Sequence, residues 1–176
     1  MKNNIIKFKI IRLPVNRWKE YRTLRLIGLK TDPQAFGRSL REAKKYPDKF
    51  WKDALRKSTT AKEYVVFFAE CNQKLVGMFG LTFLQGDKIK HRAKSTMFYV
   101  LPAFRGMGIG SALFKEAMRT VKQKRRIKKI ESSVNFGQED SLRLHQKNGF
   151  KIIGIAKKEI KIGNKFYDQY LLEKIL

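Results

Sequence analysis

The stretch from Val100 to Leu113 constrains the fold of this chain more than any other. An apolar run at 97–100 leads into it and has the aromatic and β-branched character of a strand. Pro102 cannot donate a ladder hydrogen bond, so it ends that strand. A helix is predicted directly afterwards, because apolar residues recur every four positions on one helical face, at Ile109, Leu113, Ala117 and Val121. The chain therefore passes from a strand through a short loop into an amphipathic helix.

Three glycines occupy alternate positions in that loop, at Gly106, Gly108 and Gly110, and Arg105 precedes them. Because glycine lacks a Cβ, it adopts unusual backbone angles and lets a ligand approach the main chain closely. The first amides of the following helix have no partner within the helix, and the helix dipole places about half a positive charge there. The sequence therefore predicts an anion-binding loop, most naturally for a phosphate.

Several kinds of protein bind phosphates with such loops, and the spacing separates them. A P-loop requires Gly-x-x-x-x-Gly-Lys-Ser/Thr, and the chain contains no Gly-Lys-Ser/Thr. A dinucleotide fingerprint, Gly-x-Gly-x-x-Gly, fails because Ser111 occupies its sixth position. The pattern Arg105-x-x-Gly108-x-Gly110, led by Val100-x-Pro102, closely resembles the coenzyme A loop of the GNAT superfamily of acyl-CoA N-acyltransferases.

The resemblance implies a site for acetyl-CoA. In that family the loop amides hold the pyrophosphate, and the main chain of the preceding strand pairs with the pantetheine arm. The coenzyme A contacts that it implies in the strand and loop are Phe98, Tyr99, Val100, Arg105, Gly106, Met107, Gly108, Ile109, Gly110 and Ser111. A main-chain amide near Tyr99 or Val100 is predicted to hold the thioester carbonyl oxygen as its charge grows.

A second stretch, from Val134 to Phe150, resembles the family segment that follows the parallel strand. That segment usually has a valine and then Asn-x-x-Ala-x-x-Leu-Tyr-x-x-x-Gly-Phe, and the spacing agrees throughout. The resemblance covers 90–176 strongly, and covers the N-terminal half by element order and the segment at 32–37. It adds four predicted coenzyme A contacts, which are Asn135, Gln138, Ser141 and His145.

Two of these residues depart from the family pattern. Gln138 stands where an asparagine commonly contacts the pantetheine arm, and it keeps the amide. His145 stands where many members place a tyrosine near the thioester sulfur, so it is predicted to be the general acid for the leaving thiolate. The alternative is a polar helix residue that only lines the cleft.

Composition bounds the remaining possibilities. The 176 residues are predicted to form one GNAT domain over 1–176. The formal charge of +25 attracts polyanions, among which are coenzyme A and nucleic acid.

Cys71 is the only cysteine, so an intrachain disulfide and cysteine-based metal sites are excluded, and no metal is expected. The N-terminus has the pattern of a strand rather than of a signal peptide, and no apolar run could span a membrane, so a cytoplasmic protein is expected.

Local patterns predict the remaining elements. A helix is expected from a cap at Asn16 to Thr31, another from a capping box at Ser39, and a third at 139–148. The strand after the loop helix should be parallel to the strand before it, because a helix joins them. Strands are predicted at 5–13, 64–70, 75–84, 91–100, 127–134, 151–162 and 166–172. These elements indicate a mixed α/β sheet flanked by helices, the fold that the GNAT resemblance also implies.

The leading hypothesis is an acetyl-CoA-dependent N-acetyltransferase that acetylates a primary amine, of a small molecule or a protein, by direct attack on the thioester. The general base stays open, because the strand at 91–100 offers only His91, and a water relay or a carboxylate elsewhere is an alternative. The rival is a nucleic-acid- or ribosome-associated protein on this fold with weak or no catalysis, which would use the basic cluster at 122–129. A monomer or a homodimer is expected.

Overall fold

Seven strands and five helices carry the fold, which the computed structural model describes for residues 6–176. The strands are β1 (Lys9–Ile11), β2 (Tyr64–Cys71), β3 (Lys74–Phe83), β4 (Arg92–Val100), β5 (Lys129–Asn135), β6 (Lys151–Ile162) and β7 (Lys165–Ile175). The helices are α1 (Trp18–Thr31), α2 (Leu40–Lys44), α3 (Asp48–Thr60), α4 (Ile109–Gln123) and α5 (Glu139–Lys147). The strands lie in the order β1–β2–β3–β4–β5–β7–β6, and the β4–β5 pair is parallel. The predicted mixed sheet is therefore confirmed.

Helices cover both faces of the sheet, so its central strands β2 and β3 are buried almost throughout. Phe67 and Phe79 point to the face that α4 covers, and Phe68 and Met78 point to the face that α1 and α3 cover. This alternation along each strand produces two separate cores. Within residues 6–176, each helix is too short or too polar to cross a membrane.

The pairing of β4 with β5 stops early. Its last pair is Lys94 with Glu131, and just beyond it the hydroxyl oxygens of Ser95 and Ser132 lie 2.5 Å apart. β4 then contains a bulge, because Met97 has a φ of 53° and the register against β3 shifts there. The two strands separate beyond this point and leave a wedge-shaped gap between them.

The N-terminal third departs from the sequence predictions at two points. The strand predicted at 5–13 forms only at Lys9–Ile11, and residue 5 lies outside the described residues. The predicted cap at Asn16 is wrong, because the extended Pro14 leads directly into a 3-10 turn that contains Asn16, and α1 begins with no side-chain cap. The capping box is confirmed: the Glu42 N–H donates to Ser39 Oγ at 3.2 Å, and the Ser39 N–H donates to the Glu42 carboxylate at 2.7 Å.

Candidate active site

A cavity of about 670 Å³ opens at the gap between β4 and β5, beside the N-terminus of α4. It brings together most of the residues that the two sequence stretches predicted as coenzyme A contacts. The predicted residues that line it are Phe98, Tyr99, Val100, Arg105, Gly106, Gly108, Gly110, Ser111, Gln138 and Ser141. The predicted residues outside its lining are Met107, Ile109, Asn135 and His145.

The glycine loop presents bare main chain to this cavity. Gly106 and Gly108 have φ angles of +76° and +80°, which side-chain-bearing residues rarely adopt. A Cβ added at either position would meet nothing within 4 Å, so open space adjoins the loop. Gly108 is the N-cap of α4 and provides no side-chain cap. The first amides of α4 therefore stay available to an anion.

Gly110 is needed for packing rather than for an unusual backbone angle. A Cβ at this position would lie 3.2 Å from Phe98 Cζ and 3.3 Å from Leu144 Cδ2, which is tighter than ordinary contact. Phe98 belongs to β4 and Leu144 to α5. The absence of a side chain at Gly110 lets the start of α4 approach both walls of the gap.

The hydrogen-bonding direction of β4 separates the two predicted oxyanion donors. The Leu101 N–H donates to the Val76 carbonyl at 2.9 Å, toward β3. Because successive N–H groups along a strand point to opposite edges, the N–H of Tyr99 also points toward β3 and that of Val100 points toward the gap. The Val100 amide is therefore the better placed of the two.

Three of the residues outside the lining have other surroundings. Met107 is exposed at the loop surface, and Ile109 is buried in the core beneath α4. Asn135 is buried, and its side-chain amide donates to the Gln34 carbonyl while its oxygen accepts from Gln169 Nε2 at 2.8 Å. Asn135 thus ties the segment after α1 to β5 and β7, and both of its side-chain polar atoms are bonded within the protein.

His145 lies in the core, with only 2% of its surface exposed. Its Nδ1 is 2.7 Å from the Ser141 carbonyl oxygen, and its Nε2 is 2.8 Å from Ser132 Oγ. A carbonyl can only accept, so Nδ1 carries the proton and Nε2 accepts from the serine hydroxyl. Burial lowers the pKa of His145, against the raising effect of the Ser141 carbonyl. A neutral, fully bonded ring fits a packing role, and the general-acid role stays a prediction.

A hydrogen-bonded chain that the sequence did not indicate runs from Tyr99 to Asp32 at the cavity. Thr31 Oγ1 donates to Asp32 Oδ2 at 2.8 Å and lies 2.7 Å from the Tyr99 hydroxyl, which therefore donates to it. Arg105 Nη2 donates to the same Asp32 oxygen at 2.8 Å, and Arg105 Nε donates to the Val100 carbonyl at 3.0 Å. Burial raises the pKa of the Tyr99 phenol, so it stays protonated at neutral pH.

The residues that sequence reasoning missed fall into two groups. Phe104, Gly137, Glu139, Asp140, Arg143 and Leu144 line the cavity beside predicted positions, so their signal was proximity in the chain. Asp32, Gln34 and Ala35 come from the segment after α1, for which the only signal was the resemblance at 32–37. Asp32 is the lining carboxylate held by Arg105, and only 14% of its side chain is exposed.

The remaining sequence candidates lie away from the cavity. His91 is exposed just before β4, and the eight residues from there to Tyr99 span about 26 Å of strand. The basic cluster at 122–129 begins at the C-terminal end of α4, opposite the glycine loop. Lys124 in this cluster packs over the Phe83 ring at 4.7 Å, and Lys129 pairs with Glu173 at 2.6 Å. Among residues 6–176, no group of three or more His, Cys, Asp or Glu residues could hold a metal ion.

Solved structures share this fold over nearly the whole chain. An acetyltransferase of the GNAT family from Streptococcus pneumoniae is 21% identical, with a TM-score of 0.87 over 97% of this chain and 100% of that chain. A ribosomal-protein-alanine N-acetyltransferase from Brucella melitensis is 19% identical, with a TM-score of 0.80 over 96% and 99%. The yncA protein from Salmonella typhimurium, solved with its cofactor acetyl-CoA, is 14% identical, with a TM-score of 0.81 over 96% and 94%.

The sequence itself supports the same assignment. Comparison with curated proteins gives no match. The model of the acetyltransferase (GNAT) family matches residues 27–150, which include the glycine loop, the Asp32 segment and the second predicted stretch. The structural likeness shows the fold, and the family match extends over more than half of the chain. The chain therefore belongs to the GNAT acetyltransferase family.

Proposed function

We propose that residues 1–176 act as one domain that transfers an acetyl group from acetyl-CoA to the primary amine of an acceptor. The observation that carries the proposal is the open glycine loop at the uncapped start of α4, beside the gap between β4 and β5. Family membership and the yncA structure with its cofactor acetyl-CoA support it. The nucleic-acid-binding alternative is not favoured, since its best evidence is a cluster at the far end of α4.

The residues of the loop suit the diphosphate of coenzyme A. The first-turn amides of α4, at Ile109, Gly110 and Ser111, would donate to the phosphate oxygens, and the helix dipole favours the negative charge. The bare backbone at Gly106 and Gly108 leaves room for those oxygens. Gln138 and Ser141 line the other wall and would contact the pantetheine arm.

The bound thioester supplies an activated acetyl group, and the reaction exchanges one bond for another. The amine nitrogen forms a bond to the carbonyl carbon, the carbon–sulfur bond breaks, and the amine proton must leave while the thiolate gains one. The Val100 N–H faces the gap and would stabilise the charge that grows on the carbonyl oxygen. The protein otherwise contributes by holding the two reactants in register.

Asp32 is our candidate for the proton acceptor. It is the lining carboxylate most protected from water by the fold, and Arg105 and Thr31 hold its Oδ2. Its other oxygen would accept the amine proton directly or through one water molecule. The Tyr99 hydroxyl donates into the same hydrogen-bonded chain and would give its proton to the departing thiolate. Asp32 would then release the amine proton to solvent and Tyr99 would regain one from solvent, so one proton passes in total from the amine to the thiol.

Two classes of acceptor are compatible with this reaction. The Brucella melitensis neighbour is named as a ribosomal-protein-alanine N-acetyltransferase, so a protein amine is one candidate class here. A small molecule with a primary amine is the other. Both classes require the same transfer step at the same gap.

Replacing Gly108 with glutamate tests the proposal directly. The new carboxylate would occupy the open space beside the loop and repel the diphosphate, so calorimetry should show acetyl-CoA affinity reduced about a hundredfold or more. Gly163→Glu is the matched control, because Gly163 also has a positive φ, of +59°, with open space around it, but lies in the turn between β6 and β7. Unchanged acetyl-CoA binding by the Gly108 variant would overturn the assignment of the loop.

A further inference from the structure

Helix α1 carries two arginines whose guanidinium groups are incompletely bonded. The Nε of Arg22 and the Nη1 of Arg25 are buried and have no hydrogen-bond partner. Among the arginines of residues 6–176, only these two nitrogens are buried without a hydrogen-bond partner. The two residues are three positions apart, so they are neighbours on the helix surface.

Neither arginine has a carboxylate partner, although an arginine next to the same helix has two. Arg17, just before α1, donates to Glu20 and to Glu70 at 2.6 Å each. In residues 6–176 no Asp or Glu pairs with Arg22 or Arg25. A partly buried cation without a counter-charge is costly, and an anion that binds there would remove that cost.

The surroundings of Arg25 add positive charge rather than an anion, and the hydroxyls of Tyr21 and Tyr64 donate to Met97 Sδ at 3.5 and 3.8 Å. The charged and titratable groups that act on it are Tyr21, Tyr64, Tyr46 and Arg38, and burial lowers the pKa of its guanidinium. Arg38 donates to the Tyr46 hydroxyl at 2.7 Å and is itself exposed. The cluster therefore has the composition of an oxyanion site whose ligand is not part of this chain.

The Arg25 cluster is separated from the proposed transfer site by one layer of aromatic rings. The Arg25 guanidinium stacks over the Phe36 ring at 4.0 Å, and the Phe36 and Tyr99 ring centroids are 6.0 Å apart. A Cβ added at Gly28, almost one turn after Arg25, would lie 3.2 Å from the Phe36 ring and 3.3 Å from the Tyr99 ring, so a glycine leaves room for both rings here. Tyr99 lines the cavity beside Asp32. A molecule with an amine at the gap would have to extend past the Phe36 ring to reach Arg25, which lies 4.0 Å beyond the centre of that ring.

We propose that Arg25, assisted by Arg22, binds an oxyanion of the acceptor, a carboxylate or a phosphate monoester, and so selects amines that carry such a group. The inference rests on the proposed acetyl transfer. A planar guanidinium with unused donors matches carboxylate and phosphate oxygens in a two-pronged arrangement. The proposed site lies on the α1 side of the sheet and is separate from the glycine loop.

The test uses pairs of amines that share the amine and differ in the anion. The carboxylate probes are glycine, 4-aminobutyrate and 6-aminohexanoate, each against its carboxamide, and the phosphate probe is ethanolamine phosphate against ethanolamine. Release of the coenzyme A thiol gives kcat and KM for each. We expect the wild-type protein to prefer the anionic member of at least one pair by about tenfold or more in kcat/KM. The pair that shows it identifies the oxyanion.

Arg25→Gln should abolish that preference by raising KM for the anionic probe about tenfold while kcat stays within about threefold. Arg25→Lys keeps the charge but not the planar fork, so it should retain only part of the preference. Arg41→Gln is the matched control, because Arg41 is an exposed arginine on α2 and its loss changes the net charge equally. That control should behave like the wild type.

Two results would overturn the inference. One is a wild-type protein that treats the members of every pair alike, whether it acetylates both or neither. The other is an Arg25→Gln protein, folded by its melting curve, that keeps the preference for the anionic member. Calorimetric binding of acetyl-CoA, measured on the same samples, separates failure of the oxyanion site from failure of the proposed acetyl transfer. If the wild-type protein does not bind acetyl-CoA, the proposed transferase is refuted instead.

Discussion

The two sides of the gap between β4 and β5 present different chemical groups, main chain on one side and side chains on the other. On the α4 side the candidate site is made of main chain, with glycines that leave open space and amides that no side chain caps. On the α1 side it is made of side chains, with Asp32, Arg105, Thr31 and Tyr99 in one hydrogen-bonded chain and Arg25 behind Phe36. The first side suits a ligand recognised through its phosphate groups, and the second suits a ligand recognised through the chemistry of individual side chains.

The same difference predicts which kind of substitution would disable each side. A backbone site fails when a side chain fills its space, and its ligand is held by many equivalent amides. A side-chain site fails when one functional group is removed, because each group has a separate task. Substitutions on the two sides should therefore affect affinity for acetyl-CoA and turnover in different proportions.

Asp32→Asn should give the largest effect on turnover. Asparagine keeps the shape and a hydrogen bond to Thr31 but cannot accept the amine proton, so kcat should fall by about 10²–10⁴. Acetyl-CoA affinity should stay within about threefold, since the α4 side is unchanged. Single-turnover thiol release and calorimetry measure the two quantities.

Asp53→Asn is the control for this variant. Asp53 lies on α3 and also accepts from an arginine, Arg56, at 2.6 Å, so its loss breaks a comparable ion pair outside the cavity. It should leave kcat unchanged. A wild-type kcat in the Asp32 variant would assign proton removal to another group and weaken the contrast between the two sides.

His145→Phe should change stability more than catalysis. The aromatic ring keeps its contacts with Phe114 and Phe150, but Ser132 Oγ and the Ser141 carbonyl lose a partner. We expect a loss of about 1–3 kcal/mol in the free energy of unfolding and a kcat within about threefold of the wild type. A fall of about a hundredfold would instead establish His145 as the general acid.

The pH dependence of unfolding checks the same residue. Because burial lowers the pKa of His145 below its ordinary value of 6.5, the unfolded chain takes up this proton more readily than the folded chain. The contribution of His145 to stability is complete above about pH 6.5 and is lost as the pH falls from there toward the folded-state pKa. The advantage of the wild type over His145→Phe in urea unfolding should therefore shrink on acidification. His91→Phe, at an exposed position, should not alter that trend.

Neutralising the basic cluster should have the smallest effect. Helix α4 has 15 residues, so its ends lie about 22 Å apart. Lys122→Gln, Arg125→Gln and Arg126→Gln together, with Lys124 kept because it packs on Phe83, should leave KM for acetyl-CoA within about twofold at physiological salt. Lys62, Lys88 and Lys151 changed to Gln provide a control for net charge, since all three are exposed. A tenfold rise in KM for acetyl-CoA in the cluster variant alone would indicate that coenzyme A binds at the C-terminal end of α4. Loss of RNA retention in that variant would support the rival function.

The sequence by itself determined the parallel direction of the two strands beside the gap and the main-chain half of the site. The glycine spacing after Pro102 and the helical period that follows are local properties of the chain, and they predict a loop with free amides wherever that loop lies. The two parallel strands could also be predicted, since a helix must join them. Ten of the contact residues that the family resemblance implied line the cavity, and eight of them come from β4, this loop and the first turn of α4.

Only the tertiary structure decided what the side chains do. Thr31 and Tyr99 are 68 positions apart, and Asp32 and Arg105 are 73 apart, so no local pattern indicates that they bond. His145 and Asn135 occupy family positions, yet their polar atoms are taken by Ser132, Ser141, Gln34 and Gln169. Arg25 differs from the paired Arg17 only in what packs around it. A side chain's task depends on burial and partners, and those follow from the packing of distant segments.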